Sequence, residues 1–274
     1  MTINCKGKLI DLASPKVMGI LNITPDSFFD GGKYNDEKEI LRQVDKMLSG
    51  GATFIDVGAY SSRPGADFLS EKEELKRIVP IVELILEHFP ETLISVDTYR
   101  AKVARKCIEV GAALINDISG GKMDEYMLQT VADLQVPYIM MHMRGNPKTM
   151  QGLTDYDDLV KDIIFYFSER IVTARALGVI DIIIDPGFGF AKTLEQNYEL
   201  LSKLELFKMT DKPLLVGISR KSMIYKLLET TPDKALNATT SLNTVALQKG
   251  ASILRVHDVK EAMECVKLVE MLSQ

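Results

Sequence analysis

Eight short apolar runs in this sequence each end in polar or ionisable side chains. The residues at these ends are Asn22; Ser61, Ser62 and Arg63; Asp97; Asn116 and Asp117; His142 and Arg144; Asp185; Ser219, Arg220 and Lys221; and Arg255 and His257. A rim that served stability alone would not need a polar group at nearly every such position. The pattern therefore predicts a ligand-binding site assembled from many separate segments of the chain.

These candidate residues divide into hydrogen-bond acceptors and donors. Asp97, Asn116 and Asp185 offer acceptor oxygens, which would suit the edge of a flat, nitrogen-rich ring that carries N–H donors. Guanidinium and imidazolium groups suit phosphate, and the candidates for an anion site are Arg63, Arg255 and His257. The residue types thus predict one acidic pocket for a heterocycle and separate basic sites for anions.

Two more residues are candidates because of their position. Ser222 lies where a helix is predicted to begin, and the N-terminus of a helix favours an anion. Asn22 could contribute an oxygen to a metal ion, although the sequence contains no H-x-x-H motif or paired aspartates that would require one.

Several of these residues also have a purely structural interpretation. Asp97 precedes a predicted helix start and could cap that helix. Asp185 stands before Pro186-Gly187 and could form an Asx-turn. His142, between two methionines, could be a buried histidine of the core, and the methionines around it are more typical of packing than of metal binding.

The elements that must position these residues follow from the hydrophobic pattern. The apolar runs are rich in β-branched residues and apolar on both faces, as strands of a parallel sheet are. Amphipathic stretches such as Glu71–His88 and 157–177 separate them, the first with a capping-box signature at Ser70 and Glu73. The runs span residues 17–23, 52–58, 92–97, 113–118, 136–142, 181–187, 213–219 and 252–257.

About eight β-α units favour an α/β fold of the closed (β/α)8 TIM-barrel type over an open doubly wound sheet. In such barrels the site lies at the C-terminal ends of the strands, where the candidate residues stand. The segment INCKGKLIDL before the first run predicts a short N-terminal hairpin that closes the bottom of the barrel, and residues 233–250 predict an extended helix.

Length and composition limit the classes of protein to which this chain can belong. The chain has 274 residues, a length typical of one barrel, so residues 1–274 are predicted to form a single domain. A net charge of −5 argues against nucleic-acid binding. The three cysteines are widely spaced, the N-terminus is too polar for a signal peptide, and no apolar run approaches a membrane span. These features predict a cytoplasmic location, without a membrane partner.

Eight motifs, each at a predicted strand end, resemble the dihydropteroate synthase family. They are MGILNITPDSFFDGGKY, SSRPGA, SVDTYRAKVA, INDISGG, MHMRGNPKTMQ, DPGFGFAK, VGISRKSMI and LRVHDV. The match covers nearly the whole chain. It departs from the family pattern at Tyr60, where many members have Glu, and at Phe29, where Ser is usual.

The resemblance implies a reaction that joins 4-aminobenzoate to a dihydropterin methyl diphosphate, forming dihydropteroate for folate synthesis and releasing diphosphate. It implies a Mg²⁺ ion near Asn22, a homodimer formed through the last helices, and sulfonamides as aminobenzoate mimics. The implied catalytic residues are Lys221, Arg63, Arg255 and His257. The implied ligand contacts are Asp97, Asn116, Asp185 and Lys221 for the pterin; Asn22, Ser62, Arg63, Arg255 and His257 for the diphosphate; and Phe28, Pro64, Phe190 and Ser222 for the aminobenzoate.

Three alternatives to this activity can be named. A methyltetrahydrofolate methyltransferase uses a similar pterin-binding barrel but lacks the TPDSF and SRPG runs that are present here. A non-catalytic pterin-binding paralogue would be expected to lose Arg63, Lys221 or the Arg255/His257 pair. A generic phosphate-binding barrel would not need the three acidic-pocket residues.

Overall fold

Ten strands are found among the described residues of the computed structural model, which are 1–23, 33–60 and 69–272. They are β1 (Thr2–Cys5), β2 (Lys8–Asp11), β3 (Lys16–Asn22), β4 (Phe54–Gly58), β5 (Leu93–Asp97), β6 (Leu114–Asp117), β7 (Tyr138–Met141), β8 (Ile182–Asp185), β9 (Leu215–Val216) and β10 (Ile253–Val256). Strands β1 and β2 form the predicted antiparallel hairpin. Each of the eight predicted apolar runs overlaps one of the other strands.

These eight strands form one parallel sheet in the order β8-β7-β6-β5-β4-β3-β10-β9. A parallel bridge between Ile184 and Leu214 joins β8 to the segment that leads into β9, so the two edges meet. The sheet is therefore closed, and the predicted (β/α)8 barrel is confirmed. That residues 1–274 form one domain stays a prediction.

Among the described residues one α-helix follows each barrel strand, except that two follow β9. They are α1 (Lys33–Ser49), α2 (Glu71–His88), α3 (Ala101–Glu109), α4 (Met127–Leu134), α5 (Leu159–Ala176), α6 (Leu194–Ser202), α7 (Ser222–Tyr225), α8 (Leu236–Gln248) and α9 (Val259–Leu272). Ser70 caps α2 by accepting a hydrogen bond from the Glu73 backbone N–H, as its sequence signature predicts. No helix in this part of the chain is both long and apolar enough to cross a membrane.

Side chains along the barrel strands alternate between two apolar environments. Val17, Ile55 and Ile94 belong to the large cluster between the sheet and the helices. The intervening positions supply one residue from each strand to a second cluster, called here the apolar layer: Met18, Phe54, Leu93, Leu114, Ile139, Ile183, Leu215 and Ile253. Each such side chain contributes about 1.5–3 kcal/mol on burial. Because strands have a period of two residues, the apolar layer occupies the inside of the barrel.

The hairpin covers the apolar layer at the bottom of the barrel. Ile3, Cys5, Ile10 and Leu12 are buried in the same cluster as the eight strand residues. The Asn4 backbone N–H also donates to Asp181 Oδ2 at 2.7 Å, at the residue that precedes β8. The bottom of the barrel is thus closed, which leaves the opposite end for a ligand site.

Candidate active site

A second set of inward positions lies two residues beyond the apolar layer on five of the strands. This set, called here the polar layer, consists of Asp56, Ser95, Asn116, Asp185 and Arg255. All but Arg255 are buried. The strand period explains the change, because the same face of each strand first supplies the core and then, toward its C-terminal end, supplies polar groups.

Asp56 is the centre of the polar layer. Its Oδ2 accepts hydrogen bonds from Arg255 Nε at 2.6 Å and from Asn116 Nδ2 at 3.1 Å. Its Oδ1 has no hydrogen-bond partner among the described residues. Arg255 also donates from Nη2 to Asp97 Oδ2 at 2.7 Å. One guanidinium therefore bridges two carboxylates, and the three strands β4, β6 and β10 are joined through Asp56.

Asp56 was missed by the search of strand ends. It lies within the run ATFIDVG, two residues before β4 ends at Gly58. A charged residue in the middle of a buried apolar strand is itself a signal, because burial of an unpaired carboxylate is costly. A buried carboxylate of this kind indicates a cationic partner nearby.

The prediction of an acidic pocket separate from basic anion sites needs a correction. Arg255, predicted among the anion donors, contacts Asp97 of the predicted acidic pocket as well as Asp56. The reason is that buried carboxylates require compensating donors nearby. Acceptors and donors are therefore interleaved in one site.

Burial shifts the protonation of these groups. It raises the pKa of Asp97 to about 7, against the opposing effect of Arg255, and it raises the pKa of Asp185 against the effect of Lys221. Burial lowers the pKa of Lys221 to about 8, although Asp185 opposes this. Burial alone would lower the pKa of Arg255, but Asp56 and then Asp97 raise it, so the guanidinium stays charged.

The local geometry decides between the interpretations offered for Asp97 and Asp185. Helix α3 begins after Arg100, and its first backbone N–H, that of Ala101, donates to Asp124 Oδ2 at 2.8 Å, so Asp97 is not the cap residue. Asp185 Oδ1 accepts from the Gly187 backbone N–H at 2.8 Å, which confirms the Asx-turn. Gly58 leaves room for Asp97, since a Cβ at Gly58 would lie 3.3 Å from the Asp97 Cβ.

The ends of β8, β9 and β10 bring further predicted residues to the same face. Lys221 Nζ donates to the Phe188 carbonyl and lies 4.9 Å from the centre of the Phe190 ring. Ser222 is the first residue of α7, as predicted. His257 Nδ1 lies 3.0 Å from Ser219 Oγ, and its backbone N–H also donates to that hydroxyl. Lys221 thus contacts the segment that follows β8.

Other predicted residues are placed only in part. Asn22 ends β3 and pairs in register with Gly58, so it lies at the rim of the barrel, with β4 between it and Asp97 on β5. Phe28, Ser62, Arg63 and Pro64 lie outside the described residues, as does Phe29. No group of three His, Cys, Asp or Glu side chains suited to a metal ion occurs in the described ranges.

Tyr60, one of the departures from the family pattern, packs edge-to-face on Tyr99 with ring centres 5.4 Å apart. The neighbouring Arg100 forms an ion pair with the buried Glu74 and donates to the Leu69 carbonyl. Tyr60 and Leu69, the described residues that flank 61–68, are therefore both held against the Tyr99–Arg100 pair.

His142 fits the interpretation of a core histidine. It is buried, and its ring meets Tyr166 edge-to-face with centres 4.9 Å apart. Met141 and Met143 belong to a small apolar cluster at the mouth with Ile118 and Met150, as the packing interpretation predicts. Phe190 packs against this cluster, which gives its ring a firm backing.

Comparison with known proteins assigns this barrel mouth to a family. A family model described as pterin-binding enzyme matches residues 18–257, from the first barrel strand to the end of the last. The chain is 45% identical to the dihydropteroate synthase of Escherichia coli (strain K12) over 272 residues, which covers 98% of this chain and 96% of that protein. The chain belongs to the dihydropteroate synthase family. The predicted family and enzyme class, a transferase, are thereby confirmed.

Solved structures agree with this assignment across the full length. The Yersinia pestis dihydropteroate synthase, in a crystal structure with a sulfonamide drug, has a TM-score of 0.93 and 44% identity, covering 100% of this chain and 99% of that one. The Xanthomonas albilineans dihydropteroate synthase with 4-aminobenzoic acid has a TM-score of 0.92 and 34% identity, covering 99% and 98%.

Proposed function

We propose that this chain joins 4-aminobenzoate to (7,8-dihydropterin-6-yl)methyl diphosphate, giving 7,8-dihydropteroate and diphosphate in folate biosynthesis. The observation that carries the proposal is the bridged Asp56–Arg255–Asp97 arrangement at the mouth of a barrel of this family. A related structure contains 4-aminobenzoic acid, which supports that compound as the second substrate here.

The pterin edge is proposed to lie against Asp97, Asn116 and Asp185. Because a carboxylate only accepts hydrogen bonds, the Asn116 amide must turn its NH₂ toward Asp56. The Asn116 carbonyl oxygen then faces away from Asp56 and is available to a ring N–H. Asp56 thereby acts as the residue that orients Asn116, while Lys221 would donate to the ring carbonyl and a ring nitrogen.

The diphosphate is proposed to bind beside the pterin, at Arg255, His257 and Asn22. Ser62 and Arg63 are proposed to complete this site, and both lie outside the described residues. Asn22 offers a single neutral amide oxygen, which fits a Mg²⁺ ion held mainly by the diphosphate itself. Such an ion would supply further neutralisation of the leaving group's charge.

The aminobenzoate is proposed to bind on the Phe190 side of Lys221. The Phe190 ring would form one wall, with Phe28 and Pro64 as the proposed further walls outside the described residues. The backbone N–H groups at the start of α7, beginning with Ser222, would hold the carboxylate. This arrangement would direct the amine toward the pterin methylene.

The chemistry is substitution at the methylene carbon, which we propose follows a dissociative path. The C–O bond breaks as Arg255 and His257 stabilise the charge that grows on the diphosphate. The positive charge left on the methylene spreads into the pterin ring, where the carboxylates of Asp97 and Asp185 stabilise it. The arylamine nitrogen then forms the C–N bond and loses a proton to water, with positioning contributing more than acid-base catalysis.

Diphosphate release measured with and without 4-aminobenzoate tests the proposed activity. Release that depends on 4-aminobenzoate, with formation of dihydropteroate, is the expected result. Pterin binding without any release would instead indicate a non-catalytic pterin-binding protein. Transfer of a methyl group from methyltetrahydrofolate would indicate the methyltransferase alternative.

Three further properties are proposed from separate observations. Exposed apolar side chains near the end of α9, Leu268, Met271 and Leu272, support a homodimer formed through the last helices. Cys5, Cys107 and Cys265 are buried free thiols, which supports a cytoplasmic location. Binding of a sulfonamide in the Yersinia pestis relative supports the same sensitivity in this chain. Analytical ultracentrifugation would test the homodimer, and inhibition measurements would test the sensitivity to sulfonamides.

A further inference from the structure

The segment between β8 and α6, residues 186–193, has an unusually curled backbone. Gly187, Gly189 and Ala191 all have positive φ, at 71°, 81° and 49°. A Cβ at Gly187 would lie 2.1 Å from the His142 carbonyl oxygen, so only glycine fits there. Ala191 carries a side chain in the left-handed region, which costs free energy. This segment, called here the β8–α6 loop, must therefore be held in shape by its contacts.

The loop's carbonyl groups are held by donors from three residues. Lys192 Nζ donates to the Gly187 carbonyl at 2.9 Å and to the Phe190 carbonyl at 3.0 Å. Lys221 Nζ donates to the Phe188 carbonyl. The Tyr156 hydroxyl donates to the Ala191 carbonyl at 2.9 Å. Lys192 thus spans the turn that presents the Phe190 ring to Lys221.

Lys192 is buried, and the contacts of its Nζ are made within the protein. It is only 8% exposed, and its third contact is His142 Nδ1 at 3.2 Å. Burial lowers the pKa of Lys192 to about 7, and burial followed by Lys192 keeps the pKa of His142 well below its ordinary value. The neutral imidazole can accept from an ammonium or donate to an amine, so the three contacts persist in either state of the lysine.

We propose that Lys192 is a positioning residue for the second substrate: it fixes the Gly187 and Phe190 carbonyls and thereby sets the Phe190 ring against Lys221. The proposal rests on the proposed function for the identity of that substrate. Tyr156 acts in the same direction, through a single hydrogen bond to the Ala191 carbonyl.

The test is Lys192→Met, which keeps an unbranched side chain one atom shorter than lysine and removes its donors. The KM for 4-aminobenzoate should rise about tenfold or more, since small misplacements of a binding wall are costly. The affinity for the pterin diphosphate, measured by calorimetry without 4-aminobenzoate, should stay within about threefold, because Asp97 and Asn116 lie on strands. Hydrogen exchange of the backbone N–H groups at 187–191 should accelerate.

Lys249→Met is the matched control. Lys249 also donates to a backbone carbonyl, that of Ser202, but on the outside of the barrel. Its loss should leave both substrate constants unchanged. An unchanged KM for 4-aminobenzoate in Lys192→Met, even with reduced stability, would overturn the proposal. Failure of the wild-type chain to release diphosphate would count against the proposed function. In that case, hydrogen exchange of the backbone N–H groups at 187–191 would still decide whether Lys192 holds the loop.

Tyr156→Phe keeps the proposal testable if Lys192→Met does not fold. It removes one hydroxyl and leaves the ring that packs under Arg144. A rise of about twofold to fourfold in the KM for 4-aminobenzoate, with unchanged pterin affinity, supports the proposal. No change in that KM would overturn it.

Discussion

The bottom and the mouth of this barrel are built from the same faces of the same strands, yet they differ in how their residues depend on one another. In the apolar layer, Phe54 and Ile253 contribute through burial, which is local and roughly additive. Two residues further along, Asp56 and Arg255 depend on each other, because each is tolerated only while the other is present. Because side chains on one face of a strand recur every two residues, the apolar layer and the polar layer lie one above the other inside the barrel.

This contrast predicts that losses at the bottom reduce stability alone, whereas losses at the mouth reduce ligand binding and also reduce stability where they leave a buried charge unpaired. Matched pairs of similar substitutions at the two kinds of position can test that distinction.

The largest effect is expected for Arg255→Met. It leaves Asp56 and Asp97 without their shared cation, so the free energy of unfolding should fall by about 3–5 kcal/mol. The kcat/KM should fall about 100- to 1000-fold, since a donor for the leaving diphosphate is lost. Urea unfolding and the diphosphate-release assay measure the two quantities.

Ile253→Ala is the control on the same strand and face. It should destabilise by a similar amount, about 2–5 kcal/mol, through the cavity it creates. Its kcat/KM per folded molecule should stay near the wild-type value. A comparable loss of kcat/KM in Arg255→Met and Ile253→Ala would show that substitutions at the bottom affect catalysis as much as substitutions at the mouth.

Asp185→Asn should weaken pterin affinity by about 10- to 100-fold, the range for loss of a hydrogen bond to a charged group. Stability should change little, because the oxygen of the substituted amide can still accept from the Gly187 N–H. Asp181→Asn, just before the same strand, is the matched change at the bottom, where the carboxylate accepts from Asn4. Calorimetry that finds equal pterin affinity in the two variants would contradict the assignment.

The pH dependence of stability should report Asp97. Its pKa is raised in the fold from 3.8 to about 7, so the folded state holds this proton more tightly than the unfolded state. The stabilising contribution is present below the unfolded pKa and is lost as pH rises through about 7. Between pH 5 and pH 8 the wild type should therefore lose stability relative to Asp97→Asn. If the free energy of unfolding changes with pH in the same way in the wild type and in Asp97→Asn, the raised pKa of Asp97 is contradicted.

The smallest effect is expected for Gly58→Ala. The new Cβ would lie 3.3 Å from the Asp97 Cβ, so Asp97 must shift by a few tenths of an ångström. Pterin affinity should fall about threefold. In Gly217→Ala the nearest atom, the Arg255 Cβ, lies 3.7 Å away, an ordinary contact, and affinity should not change. The opposite order of effects would mean that Gly217, and not Gly58, limits the space.

The sequence predicts most of the fold because the period of its apolar residues is strong and local. All eight barrel strands, the hairpin and the limits of α2 follow from patterns a few residues long. The strand-end rule also finds Asp97, Asn116 and Asp185, since barrel topology converts strand ends into one rim.

The rest depends on contacts between residues far apart in the sequence. The Asp56–Arg255 pair joins residues 199 positions apart, and no local pattern announces it. The same holds for Lys192, whose role follows from the curl of the β8–α6 loop and the nearby His142. Tyr60 is understood only from its packing on Tyr99. Local periodicity predicts helices and strands, but side-chain contacts across the barrel are apparent only in the three-dimensional structure.

The most direct test of a pterin site formed by the polar layer together with Asp97 is a crystal structure of this chain with a dihydropterin analogue. We predict that the nitrogen-rich ring edge lies within hydrogen-bond distance of Asp97, Asn116 and Asp185, with the Asp56–Arg255 pair intact beside it. A pterin bound elsewhere, or one that does not contact these three side chains, would contradict this placement of the pterin site.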